Sequence, residues 1–175
     1  MDYFTVDTIL NKRYYVLFII AHKTREIAYT AITESPSGNF LRQQFIEFEE
    51  ILDGKHIHLI HDHGSDFMTL NYAFYGITNV VTSIKAPNMN AIAERFVRSI
   101  RNEALDQFII IGKGQIENIV NDYVLYYNSM RPHQGIGSIP RGEPPHIEKS
   151  DFSTGNIRKK PILGGLHHHY YREAS

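Results

Sequence analysis

Cysteine is absent from these 175 residues. That absence excludes disulfides, thiolate zinc sites and thiol nucleophiles, and it suits a reducing compartment. Long apolar runs are missing too: the longest, Tyr14 to Ala21, is strand-sized, well short of the roughly 18 residues a spanning helix needs. No basic segment precedes the first apolar run, since Asp2 follows Met1, so no signal peptide is expected. A strong charge of one sign is lacking as well. Eighteen Lys and Arg stand against nineteen Asp and Glu, a formal net charge of −1. Any hold on a polyanion must therefore come from local clusters or from another domain. These absences predict a cytoplasmic chain with no membrane partner.

What is present fits one α/β domain, with 42% hydrophobic and 21% charged residues. Charge is unevenly spread: residues 1–53 carry five basic and eight acidic side chains, residues 131–175 seven basic and four acidic. Tyr3–Leu10, Tyr14–Ala21 and Glu26–Thr33 read as a three-strand meander, and the unbroken apolar second run predicts burial on both faces. After Ser35-Pro36-Ser37-Gly38, the spacing of Leu41, Phe45, Phe48 and Leu52 predicts a helix that Gly54 ends. His56–His61 is a short strand that delivers Asp62 at its end. A short connection at 67–75 leads to a fifth strand at 77–83. Two helices follow, one buried through Met89, Ile92, Ala93, Phe96, Val97, Ile100 and Ala104. The other is buried through Ile116, Ile119, Val120, Tyr123, Val124 and Tyr127. Pro and Gly recur from Arg131 onward. The predicted organisation is a core over 1–130 and a Pro/Gly-rich extension over 131–175 wrapping it. The element order matches a ribonuclease-H-like α/β layout: a five-stranded mixed sheet flanked by helices, with an extended C-terminal tail.

The carboxylates carry the chemistry. Asp62 sits where a strand stops, the usual place for function in open α/β sheets. Glu94 falls on the polar side of its helix, with Arg98 and Arg101 on the same side. Two or three such acids suffice for Mg²⁺, which keeps waters and substrate phosphates as its other ligands. A pair of ions roughly 4 Å apart can serve phosphodiester cleavage or joining with no covalent protein nucleophile. As a third acid we take Asp2 over Asp7; the two lie five apart on one strand and so face opposite ways.

The motifs resemble the catalytic core of the D,D,E recombinases, the retroviral integrases and bacterial insertion-sequence transposases. Asp62-His63-Gly64-Ser65-Asp66-Phe67 is similar to that family's Asp-x-Gly-Ser-x-Phe run, and Pro87 through Glu94 to its Pro-x-x-x-x-x-x-Glu element. Asp2-Tyr3-Phe4-Thr5 resembles the first-strand motif, and Asn128-Ser129-Met130-Arg131-Pro132-His133 the Asn-x-x-Arg-Pro-His segment of transposases. Gly164-Gly165-Leu166-His167-His168 resembles the tail of one bacterial subgroup. The resemblance implies a ribonuclease-H-like fold, a two-metal Mg²⁺ or Mn²⁺ site and strand transfer by a DNA 3′-hydroxyl. It makes Asp2, Asp62 and Glu94 the catalytic metal ligands, and Lys85, Asn88, Asn90, Arg95, Arg98 and Arg101 the DNA contacts. It further implies a bacterial, nucleoid-associated protein that acts as a homo-oligomer, dimer or higher, on DNA. Relatives carry an N-terminal helix-turn-helix region, so the expected protein is truncated or split, with a separate N-terminal transposase subunit as partner.

Two rivals accompany that reading. One is a non-catalytic remnant that binds DNA or full-length transposase as an inhibitor; the other is a nuclease for RNA–DNA hybrids. His56, His58, His61 and His63 do not converge by spacing, so they read as surface or packing groups, with His61 or His63 beside the site. His167-His168-His169 reads as an exposed tail and Arg158-Lys159-Lys160 as a solvated basic run. Arg131-Pro132-His133 reads as structural, with Arg131 tying the last helix to the core and a DNA contact as the lesser alternative. For Leu125 and Tyr126, a dimer contact and burial beneath the C-terminal segment stand equally.

Overall fold

The computed structural model describes residues 1–82, 91–137, 139–141 and 156–172. Strands β1 (Asp2–Asp7), β2 (Arg13–Ile20) and β3 (Ile27–Thr33) form the expected antiparallel meander. Asp2 lies opposite Phe18, and Tyr15 opposite Thr33. The continuous apolar run of β2 has a simple cause, because the sheet is covered on both sides. Val16, Phe18 and Ile20 join Phe4 and Val6 in one apolar cluster, while Leu17 and Ile19 point the other way into a second.

Helix α1 (Gly38–Leu52) covers the second cluster, burying Leu41, Phe45, Phe48 and Leu52 as the spacing requires. Its start is capped by the Ser37 hydroxyl, which accepts from the Phe40 N–H at 3.2 Å. It stops at Asp53, in the left-handed conformation, one residue before Gly54. Strands β4 (Ile57–His61) and β5 (Ile77–Val81) pair in parallel, joined through two short 3₁₀ turns at Phe67–Thr69 and Tyr72–Tyr75.

Helices α2 (Ala91–Glu103) and α3 (Lys113–Ser129) cover the opposite face. From them Ala93, Phe96, Ile100, Ile116, Ile119, Val120, Tyr123 and Tyr127 fill the first cluster. Ile92, Val97 and Val124 pack at its margin, and Met89 lies outside the described residues. Fully burying each large side chain contributes about 1.5–3 kcal/mol, so these stripes fix the helices to the sheet. Finally β6 (Ile157–Ile162) and β7 (His167–Arg172) form an antiparallel hairpin, and Leu163 between them is buried in the first cluster.

One expectation changes. Among the described residues the strand ladders close as a three-stranded antiparallel sheet, a parallel pair and the C-terminal hairpin, not as one five-stranded mixed sheet. The meander and the parallel pair are bridged where the Met1 amino group donates to the Ile60 carbonyl at 2.7 Å. They also share the α1-side cluster, in which Met1, Leu17 and Ile19 meet Leu59 and Ile77. A local reason is visible at the start of β1. The Tyr3 N–H is taken by the Asp2 side chain at 2.7 Å and so is not available to a neighbouring strand.

Candidate carboxylate site

β4 ends at His61, which is buried, and the next residue, Asp62, is exposed. The loop that follows is locked by its own side chains. The Asp62 Oδ1 accepts from the Gly64 N–H at 2.9 Å, closing a small side-chain turn. A Cβ on residue 64 would sit 3.0 Å from that same oxygen and 3.1 Å from the Phe67 ring, so glycine leaves both their room. Phe67 anchors the loop: its ring stacks on Tyr3 at 5.2 Å and tilts against His61 at 5.2 Å, and its carbonyl accepts from the Tyr72 hydroxyl at 2.8 Å. Asp62, Gly64 and Phe67 of the run thus each have a structural task in holding the loop.

Asp2 and Asp62 act on a common neighbour. Burial lowers the Met1 ammonium pKa to about 6, and the charges of Asp2 and then Asp62 are what oppose that fall. Asp7, the alternative first acid, is instead committed at the far end of β1 to a two-bond pair with Arg13 at 2.7 and 3.0 Å. Glu94 lies exposed in the first turn of α2, where the helix dipole favours a carboxylate. The donor chemistry suits a hard divalent cation, because all three groups offer carboxylate oxygens. The geometry is incomplete, however. Among the described residues no three His, Cys, Asp or Glu side chains gather as a metal-binding group.

On the α2 face, Arg95 and Arg98 are exposed, whereas Arg101 donates to the Thr5 carbonyl and faces Asp106 at 3.8 Å. Lys85, Asn88 and Asn90 lie outside the described residues. The histidines do not converge. His56 meets the Thr78 hydroxyl at 2.9 Å, and His61 packs between Phe67 and Tyr72 with its Nδ1 against the Asp62 carbonyl.

Other motif residues prove structural. Arg131 forks onto Glu103 at 2.8 and 2.6 Å, tying the end of α3 to the end of α2 as read from the sequence. The Tyr123 hydroxyl joins the same carboxylate at 2.9 Å. Burial pushes the Glu103 carboxyl up, but the Arg131 and Tyr123 hydrogen bonds and the Arg131 charge outweigh it, so the net displacement is downward. His167 corrects the exposed-tail expectation: its ring stacks on Tyr126 at 4.6 Å and its Nε2 meets the Glu103 carbonyl at 2.7 Å. Tyr126 is therefore half-buried beneath the C-terminal hairpin.

Sequence reasoning missed Asn128 as an individual. Fully buried, it accepts from the Ile27 N–H and donates to the Ile27 carbonyl, both at 2.9 Å. Its motif position was visible; its partner, 101 residues away, was not.

Residues 75–140 match the family model described as "Integrase core domain", a span that holds Glu94 and the Asn128–His133 segment. Over 142 residues the chain is 25% identical to the "Insertion element IS476 uncharacterized 39.2 kDa protein" of Xanthomonas euvesicatoria. The match covers 78% of this chain and 41% of that protein, so the chain spans well under half of its relative. Among solved structures, the HTLV-2 integrase catalytic core in complex with magnesium superposes with a TM-score of 0.61 at 14% identity, covering 80% of this chain and 90% of that one. A simian T-cell lymphotropic virus intasome in complex with a PP2A regulatory subunit gives 0.67 at 11% identity, over 98% and 65%. The BIV integrase catalytic core gives 0.56 at 14%, over 79% and 88%. At these identities the structures speak for fold alone, and that fold is the ribonuclease-H-like one of the integrase cores. Residues 75–140 thus match the integrase core domain model, in a chain similar to an insertion-element protein and folded as the integrase catalytic cores are.

Proposed function

We propose that the chain is the catalytic core of a DNA transposase or integrase, cleaving and transferring DNA strands during integration and recombination. The observation that carries this is Asp62, held at the end of β4 by a self-locking loop, with Glu94 on α2 inside the integrase core match. In cleavage a water oxygen bonds to phosphorus as the 3′-oxygen leaves. In transfer a DNA 3′-hydroxyl oxygen attacks a target phosphodiester and displaces its 3′-oxygen, so no protein nucleophile is needed. Asp2, Asp62 and Glu94 are the proposed ligands for Mg²⁺ or Mn²⁺. Bound there, the pair of ions would supply charge stabilisation and activation of the attacking oxygen. Arg95 and Arg98 extend the α2 face along the DNA, and Lys85, Asn88 and Asn90 remain proposed contacts. The same reading takes 1–130 as core and 131–175 as extension, and proposes a homo-oligomer on DNA together with an N-terminal recognition subunit.

The test is joining and nicking of labelled duplex and supercoiled plasmid with Mn²⁺ or Mg²⁺, comparing wild type with Asp62→Asn and Glu94→Gln. Loss of activity by more than about a hundredfold in both is expected; retained activity in either sinks the assignment. One observation favours the second reading, a non-catalytic remnant that binds DNA or full-length transposase and inhibits it: the three carboxylates do not gather. Calorimetric titration with Mn²⁺ separates the two, because a remnant shows no binding that Asp62→Asn removes.

A further inference from the structure

A cavity of about 620 Å³ opens between α2, the end of α3, the segment after α3 and the β2–β3 hairpin. Arg25, Arg95, Ser99, Tyr127, Arg131 and His133 line it, and no lining residue among those described is acidic. Three arginines thus line one space from three separate parts of the chain. Of the three, Arg131 has its charge answered by Glu103; among the described residues no ion pair takes up Arg25 or Arg95. The Arg131 guanidinium lies over the Tyr127 ring at 5.7 Å from its centre; burial raises the Tyr127 hydroxyl pKa, Arg131, Arg25 and Arg95 oppose that rise, and Glu103 adds to it. The His133 ring closes the wall, edge-on to Tyr127 at 4.4 Å.

Holding Arg25 and Arg95 beside Arg131 with one carboxylate among three cations is unfavourable, and here it coincides with a second unfavourable feature. Arg25 has φ of 66°, the left-handed region that glycine occupies without penalty and that costs another residue about 1–2 kcal/mol. Its conformation is nevertheless fixed at both ends. The backbone N–H donates to the Ala21 carbonyl at 2.8 Å, and the guanidinium donates to the His22 carbonyl. Backbone strain of this kind accumulates where a side chain must be presented to a ligand.

We propose that this cavity is a phosphate site for a nucleic-acid strand running along α2, with Arg25 and Arg95 as charged donors and Arg131, His133 and Tyr127 as the fixed wall. The inference rests on the reading of the chain as a DNA-acting core, and it extends that reading to Arg25, on the β2–β3 turn, which no motif marks. Position favours a strand over an isolated anion. Arg95 directly follows Glu94 and lies one helical turn from Ser99, so DNA reaching the candidate carboxylates continues past the cavity mouth. Planar guanidinium forks suit phosphate oxygens, and each phosphate so held adds to the salt dependence of binding.

The test is duplex binding by fluorescence anisotropy across a salt series, for wild type, Arg25→Gly and Arg95→Gln. Arg25→Gly relieves the backbone strain, so its melting temperature should equal or exceed wild type, which removes misfolding as an explanation. The expected result is a three- to tenfold loss of affinity and a salt-dependence slope lower by about 1 in each variant. Tight wild-type binding that Arg25→Gly leaves unchanged in affinity and slope overturns the cavity proposal and leaves the DNA reading standing. Wild type that binds no duplex overturns both. Inorganic phosphate and poly-aspartate are titrated in parallel, followed at the His133 ring by NMR. Arg25-dependent binding of either one, with duplex binding unchanged, assigns the cavity to a free anion or an acidic chain and also overturns the proposal.

Discussion

Asn128 offers the sharpest test of how this fold is held. Its side-chain amide bonds both backbone groups of Ile27 at 2.9 Å, doing for the edge of β3 what another strand would do. All four groups are buried, so truncation forfeits two hydrogen bonds and strands a backbone donor and acceptor away from water. Each bond contributes about 1 kcal/mol net, and each stranded group costs about 1–3 kcal/mol. Partial relaxation and water entry bring the expected loss for Asn128→Ala to about 3 kcal/mol, a fall in melting temperature of roughly 6–12 °C for a chain of this size. Asn128→Asp adds a pH signature. The protonated acid mimics the amide, with one oxygen accepting and the hydroxyl donating, whereas the carboxylate repels the Ile27 carbonyl and is buried without a cation. Folding therefore favours the protonated form and raises the carboxyl pKa above its unfolded value of about 3.9. The variant's stability relative to wild type is then greatest below that value and is lost as pH rises through the folded pKa. Urea unfolding of wild type, Asn128→Ala and Asn128→Asp at pH 4 and pH 7 measures both effects. A loss under about 1 kcal/mol for Asn128→Ala, or an Asn128→Asp deficit that does not grow with pH, would refute the reasoning.

The Glu103–Arg131 fork should contribute about 1–2 kcal/mol, toward the low end of charge-assisted pairs because about a quarter of each side chain is exposed (24% and 27%). Since the Glu103 carboxyl is held below its usual range, that contribution is present above about pH 4.3 and disappears as pH falls through the lowered pKa. Glu103→Gln should accordingly converge with wild type in acid unfolding. Gly64→Ala places a methyl 3.0 Å from Asp62 Oδ1 and 3.1 Å from the Phe67 ring, so it should destabilise by about 1–3 kcal/mol. It should also weaken any Mn²⁺ binding that depends on Asp62, read by calorimetry. His167→Ala removes the stack on Tyr126 and should speed amide exchange through β6 and β7, leaving the β1–β3 exchange pattern unchanged.

The meander, α1 with its four buried positions, both later helices and the delivery of Asp62 were legible because they follow from local period and capping chemistry. The Arg131 tie was legible as well, since a bidentate cation after a helix has few uses other than an anchor or an anion contact. His167 was not: a run of three histidines carries no period, and only the neighbouring Tyr126 ring gives it a place. The five-stranded sheet was misjudged at a junction, the Met1–Ile60 bridge, whose hydrogen bonding is decided at the very start of β1.

The chain's order of apolar and polar residues therefore determined which segments become strands and helices, and which face of each is buried. It also placed Asp62 and Glu94 at a strand end and a helix face, because those are properties of spacing along one segment. Only the tertiary structure decided what those segments share. It set Asn128 on Ile27, brought the Ile60 carbonyl to the Met1 ammonium, and gathered Arg25, Arg95 and Arg131 around a single cavity. Hydrogen bonds and charges act over a few ångströms of space regardless of separation along the chain, and no periodicity records which distant residues will meet.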